Sequence, residues 1–270
     1  MNVFICGDLH GDINPIRNFY NNNYIKNTER ESEENWIILL GDVGAQYYFD
    51  YRDKNFKKNL SKYPFKYFCI RGNHEERASV VAKQNSEDWE EVEVFEGRCL
   101  RERKFPNIYY AADEGGIYYI NGRRCLVIPG AYSVDKHHRL AMGWAWFEQE
   151  QLSAQEMAAL DAISRGYECD FVFSHTCPLD WEPTDLFLGF IDQAKVDKSM
   201  EIWMNHLNDN VEWKHWCFAH YHADRAERPY VEMFLHEIEN IEDIEARWEL
   251  YTETGELPWF FPKSPQFYWY

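Results

Sequence analysis

Five short apolar runs, residues 3–6, 36–40, 67–70, 171–173 and 216–219, are each followed at once by side chains of metal-binding type. Asp8 and His10 follow the first, Asp42 the second, Asn73 and His74 the third, His175 the fourth, and His220 and His222 the last. A mixture of carboxylate, imidazole and amide oxygen suits two divalent transition ions, whereas a closed structural zinc site favours thiolates. Two neighbouring ions need a shared ligand, and a carboxylate with two oxygens is the natural bridge; Asp42 stands midway in the series. Asp8-x-His10 and His220-x-His222 would each put both side chains on one face of an extended chain, because strand side chains alternate. Each pair is expected to serve one ion.

The elements that must position these groups are strands. Each run reads as a buried strand, and in an open α/β sheet the carboxyl ends of the strands converge on a binding crevice, where residues distant in sequence meet. Two further runs, 117–120 and 125–128, flank Asn121-Gly122, a two-residue hairpin turn that mixes antiparallel pairing into the sheet. Between the strands lie helical patterns. Asn14 is expected to cap the first, with Pro15 in its opening turn and Ile16, Phe19 and Tyr20 on one face. Ser153 and Glu156 have capping-box spacing, Leu152 and Met157 can staple that helix, and Gly166 ends it. A third places Val196, Met200, Trp203 and Leu207 on one stripe. Strand followed by helix predicts an α/β fold in a single domain, 1–270, with a possible insertion at 86–115 and an acidic C-terminal extension at 226–270.

The bulk composition narrows the function classes. An apolar content of 45% excludes a disordered chain. The net charge of −18 repels the phosphate backbone of long nucleic acid, so no long nucleic-acid partner is expected. Seven cysteines form no Cys-x-x-Cys pair, which fits a reducing compartment. With no signal-like N-terminus and no apolar run of membrane-spanning length, a cytoplasmic location and no membrane partner are expected.

The order of motifs is specific: GDLHGD at 7–12, GDVG at 41–44, RGNHE at 71–75, SHTCP at 174–178 and AHYH at 219–222. Over residues 1–225 the chain resembles the calcineurin-like metallophosphoesterase superfamily. The resemblance implies a four-layer αββα sandwich of mixed sheets and two divalent ions, manganese first, with iron or zinc as alternatives. It implies that Asp8, His10 and His222 hold one ion, that Asn73, His175 and His220 hold the other, and that Asp42 bridges them. His74 takes the place of the family's catalytic histidine beside the leaving-group oxygen. The implied activity is hydrolysis of phosphomonoesters or phosphodiesters by metal-activated water. The alternatives are a catalytically weak metal-binding scaffold or regulatory protein, and a nuclease or cyclic-nucleotide phosphodiesterase.

Departures from the family pattern are equally legible. Phosphoprotein phosphatases of this superfamily carry an aspartate and an arginine where this chain has Ala45 and Gln46. The usual prop for the His74 ring and a phosphate-binding charge are therefore missing. Glu75 or a residue from a distant loop is the expected replacement for the prop. Arg71 and Arg139, the latter in the segment 130–146 rich in basic and aromatic residues, are expected to contact substrate. Cys177, His206, His215 and the tryptophans read as packing or surface residues, and Asp12 as a turn residue.

Overall fold

Val3 and Ile5 turn to one side of their strand and Phe4 and Cys6 to the other, and all four are buried. A strand buried on both faces needs a layer on each side, and that requirement organises the whole fold. The computed structural model describes residues 1–26 and 33–255. Its strands are β1 (Asn2–Cys6), β2 (Asn35–Leu39), β3 (Lys66–Cys69), β4 (Trp89–Val94), β5 (Gly97–Glu102), β6 (Ile108–Ala111), β7 (Gly116–Ile120), β8 (Arg123–Ile128), β9 (Cys169–Ser174), β10 (Trp213–Phe218), β11 (Arg225–Arg228), β12 (Val231–Met233) and β13 (Glu239–Asn240). The helices are α1 (Asn14–Phe19), α2 (Tyr51–Leu60), α3 (Ala78–Gln84), α4 (Lys136–Ala141), α5 (Ala154–Ser164), α6 (Ser199–Asn210) and α7 (Ile241–Thr254).

The strands form two mixed sheets, ordered β13-β1-β2-β3-β6-β5-β4 and β11-β12-β10-β9-β8-β7. The middle of each is parallel: β1 with β2, β2 with β3 and β3 with β6 in one, and β8 with β9, β9 with β10 and β10 with β12 in the other. Antiparallel strands close the edges. Val3, Ile5, Ile38 and Phe68 of the first sheet share a core with Val127, Phe171, Phe173 and Cys217 of the second. The opposite faces pack on helices: Phe4, Ile37 and Tyr67 meet Ile16, Phe56 and Leu60, while Val172, Trp216 and Phe218 meet Leu160, Met200, Met204 and Leu207. This is the expected four-layer α/β sandwich.

Local chemistry sets the element boundaries. The Ser153 hydroxyl accepts from the Glu156 amide and the Glu156 side chain accepts from the Ser153 amide, completing the capping box of α5. Asn121 and Gly122 take φ of 50° and 79°, the left-handed pair that a tight β7–β8 hairpin requires. At α1 the N-cap position is Ile13, which has no capping side chain; Asn14 is already helical, and its amide donates to Asp12 Oδ1 at 2.9 Å. Val196, expected on the stripe of α6, lies ahead of that helix, whose buried residues include Met200, Met204 and Leu207.

Two segments set apart in the sequence take definite places in the sheets. Residues 86–115 contain β4, β5 and β6, which extend the first sheet beyond β3. Their short, charge-rich pattern hid strands that face solvent on one side. The segment after 226 is likewise woven in, through β12 beside β10, β13 beside β1 and α7 against the core between the sheets; residues 256–270 lie outside the described part. All seven cysteines are buried free thiols. No described helix is long and apolar enough to cross a membrane.

Trp248 of α7 is wholly buried in the inter-sheet core, and its indole N–H donates to Glu232 on β12 at 2.5 Å. Trp248→Ala is expected to cost about 3–5 kcal/mol, read as a lower urea midpoint with an unchanged slope; an unchanged midpoint would show that α7 is not part of the core.

Candidate metal centre

The carboxyl ends of β1, β2, β3, β9 and β10 deliver Asp8, Asp42, Asn73, His175 and His220 to one place between the sheets. Asp8 Oδ2 lies 3.7 Å from His222 Nε2, and His10 Nε2 lies 3.0 Å from His222 Nε2 and 3.8 Å from Asp42 Oδ2. On the other side, His175 Nε2 is 3.5 Å from Asp42 Oδ1 and 2.9 Å from Asn73 Oδ1. Among the described residues, three overlapping triads have ligand-type atoms within 4.8 Å of one another: Asp8, His10 and His222; His10, Asp42 and His74; and Asp8, Asp42 and His175. His220 falls in none of these triads, although its ring centroid is 5.0 Å from that of His175.

Strand alternation is not what places these side chains, and His222 joins Asp8 and His10 rather than His220. β1 ends at Cys6 and β10 at Phe218, and His10, Asp42, His220 and His222 have φ of 45°, 46°, 71° and 56°. The left-handed backbone costs a non-glycine residue about 1–3 kcal/mol, and it curls each loop so that its side chains face the same point. Gly41 and Gly72 permit the close packing: a Cβ on Gly41 would sit 2.1 Å from His175 Nδ1, and one on Gly72 2.1 Å from Asp42 Oδ1.

The electrostatics call for positive charge. Asp8 and Asp42 are both buried, and the basic groups they meet are histidines rather than lysine or arginine. Backbone amides help: His220 N donates to Asp8 Oδ2 at 3.0 Å and His74 N to Asp42 Oδ1 at 2.8 Å. Asp8 Oδ1 is buried with no hydrogen-bond partner. His175 donates its Nδ1–H to the Leu40 carbonyl at 2.7 Å, which in a neutral ring leaves Nε2 as a lone pair aimed at the Asn73 oxygen. Two acceptors face to face are stable only with a proton or a cation between them. Burial depresses His175, but Asp42 and Asp8 more than offset this and raise it to about 9. Burial lowers His10, His220 and His222, the last to about 3, which favours their neutral rings. An orphaned carboxylate oxygen, converging acceptors and neutral imidazoles fit divalent cations.

Against this geometry, the family model for calcineurin-like phosphoesterase matches residues 1–224. The chain belongs to this family. No curated protein matches it. Among solved structures it is similar to a phosphopantetheinyl hydrolase from Mycobacterium tuberculosis, at 13% identity over 97% of this chain and 96% of that one, with a TM-score of 0.44. It is also similar to a protein of unknown function, AQ665 from Aquifex aeolicus, at 14% identity over 65% of this chain and 80% of that one, with a TM-score of 0.29.

The departures from the phosphoesterase pattern now have structural content. Ala45 is fully buried in the apolar core under the first sheet. Glu75 turns away from His74 and accepts the amides of Gly44 and Gly72 at 3.1 and 3.4 Å. The ring of Tyr47 stacks on His74 instead, at 5.9 Å and 25°, and Asp53 anchors that loop by accepting the Tyr47 amide. The two arginines expected to meet substrate point inward. Arg71 Nη1 donates to the carbonyls of Glu150 and Gly72, and Arg139 donates Nε to Ala145 O and Nη1 to Ser133 Oγ. Arg139 is 0% exposed and Arg71 7%, so neither offers a substrate an open face. Cys177 is a buried thiol that burial pushes up, as a packed residue should be.

In the metal-free protein the His175 value lies above its unfolded value. Its proton thus stabilises the fold below about pH 6.5, and that contribution is lost as pH rises through about 9. A cation must displace this proton. Calorimetric titration with Mn²⁺ at neutral pH, in two buffers of different ionisation enthalpy, is expected to show proton release that fades once pH exceeds the His175 value; a buffer-independent enthalpy at neutral pH would contradict the assignment.

Proposed function

We propose that the chain hydrolyses small phosphomonoesters or phosphodiesters at a dinuclear centre. The observation that carries this reading is Asp42, whose Oδ2 faces His10 and whose Oδ1 faces His175. One carboxylate thus addresses two loci. Asp8, His10 and His222 would hold one ion, and Asn73, His175 and His220 the other. Manganese is the first choice, with iron or zinc as alternatives, since nitrogen and oxygen donors serve all three. Two divalent ions bound there supply Lewis-acid activation of the phosphoryl group and of a water nucleophile.

The chain's own groups do the rest. His222, with 32% of its side chain exposed, marks the side on which the centre opens to solvent. His74 lies beside the loci, its ring 5.2 Å from that of His10. Burial lowers His74 to about 3, so at neutral pH it is a neutral imidazole. Its role is then to donate an N–H to the departing oxygen rather than to arrive as a charged acid. Tyr47 keeps the ring in place. With no exposed arginine contributed by Arg71 or Arg139, the ions carry the recognition of phosphoryl charge, and the −18 net charge favours a small substrate over a long polymer.

Hydrolysis of p-nitrophenyl phosphate and bis-p-nitrophenyl phosphate by Mn²⁺-loaded protein tests the proposal, and no turnover of either would sink it. His74→Ala is expected to lower kcat by about 10²–10³ while both ions remain bound by elemental analysis. Loss of an ion would instead make His74 a ligand.

A further inference from the structure

The segment that follows β8 carries Ser133, Arg139, Trp146 and Glu150, and these side chains meet next to Asn73. Asn73 Nδ2 donates to Ser133 Oγ at 3.0 Å, and Arg139 Nη1 donates to the same oxygen at 3.0 Å. Ser133 Oγ lies 2.5 Å from Glu150 Oε2. Glu150 also accepts the Ser133 amide on Oε1 at 3.0 Å and the Trp146 indole N–H on Oε2 at 2.9 Å. Ser133 and Arg139 are fully buried, and Asn73 and Glu150 are 2% and 3% exposed.

Counting donors fixes the direction of every bond. A hydroxyl has one proton and two lone pairs. The lone pairs of Ser133 take Asn73 and Arg139, so its proton goes to Glu150, an acceptor-only carboxylate. Ser133 therefore has no proton to give to Asn73. The Asn73 amide must turn its NH₂ toward Ser133 and its oxygen toward His175, which is the orientation a cation needs. Reversed, the amide would present two N–H donors to the cation.

Building on the dinuclear reading, we propose that Glu150 is a positioning residue that acts through Ser133 to hold the Asn73 oxygen toward the ion locus it shares with His175. Glu150 touches neither that locus nor any substrate. Its effect is selective: it sets the affinity of the Asn73–His175 locus and leaves that of Asp8, His10 and His222 alone. The Gly130–Glu150 stretch is in this way a support for one ion rather than a wall of the substrate pocket. Arg71 fastens that stretch to the end of β3, through its bond to the Glu150 carbonyl at 2.7 Å.

Glu150→Gln keeps the shape but has one acceptor oxygen for the three donors that the carboxylate serves, the Ser133 amide, the Ser133 hydroxyl and the Trp146 indole; with that oxygen on the Ser133 amide, its NH₂ meets the hydroxyl, whose proton is freed to bond the Asn73 oxygen and turn the amide round. Titration of metal-free full-length chain with Mn²⁺, followed by calorimetry and by the EPR signal of free Mn²⁺, is expected to show two ions in the wild type. In Glu150→Gln one of them should weaken by about 10–100-fold and the other stay unchanged. Ser133→Ala should weaken the same ion. Asn73→Asp presents an oxygen whichever way it turns, so adding Glu150→Gln to that background should cause no further loss. Wild-type affinity for both ions in Glu150→Gln, equal weakening of both, or the same loss in the Asn73→Asp background would each overturn the proposal. A wild-type chain that takes up no ion overturns the dinuclear reading itself, and this inference with it.

Discussion

Two carboxylates, Asp8 and Asp42, are buried side by side at the ends of adjacent strands with histidines as their basic neighbours. Removing a carboxylate from water costs several kcal/mol even after relaxation, and two together add mutual repulsion. Much of the surrounding structure answers that cost: amides of His220 and His74 aimed at the oxygens, and a His175 raised by the same carboxylates until it keeps a proton. A divalent cation answers it more completely than a proton, because it satisfies several acceptors at once. The buried pair makes the fold a metal-binding fold.

Architecture and strain follow from holding the pair in place. Strands buried on both faces by an inter-sheet core and an outer helical layer form a rigid platform, and their parallel order brings five carboxyl ends to one side. The loops that leave those ends then pass through left-handed conformations at His10, Asp42, His220 and His222. That strain persists because packing over-determines it. It is concentrated where the site side chains converge and not in the strands that carry them.

The convergence of Asp8, Asp42, Asn73, His175 and His220 was legible in the sequence because a buried strand writes itself as an apolar run and each of these side chains stands within a few residues of its end. The sandwich was legible for a similar reason, with help from the order of the motifs. Three features were not. The pairing of His10 with Asp8 was expected from strand alternation, but the turn that achieves it is a backbone property that the residue names do not encode. Arg71 and Arg139 looked like phosphate contacts because arginine is usually exposed; inward hydrogen bonds to Glu150, Ala145 and Ser133 reverse that expectation. The Tyr47 stack on His74 and the Ser133–Glu150 link depend on how loops pack, and no local period announces them. The strands in 86–115 were missed because an edge hairpin needs little apolar surface.

The central claim is that Asp42 joins two ions. Anomalous diffraction from Mn²⁺-loaded crystals tests it most directly. Two peaks are predicted about 3.5–4 Å apart, one on the His10 side of Asp42 and one on the His175 side, each within coordinating distance of one of its oxygens. A single peak, or two peaks with Asp42 bound to only one, would contradict the account.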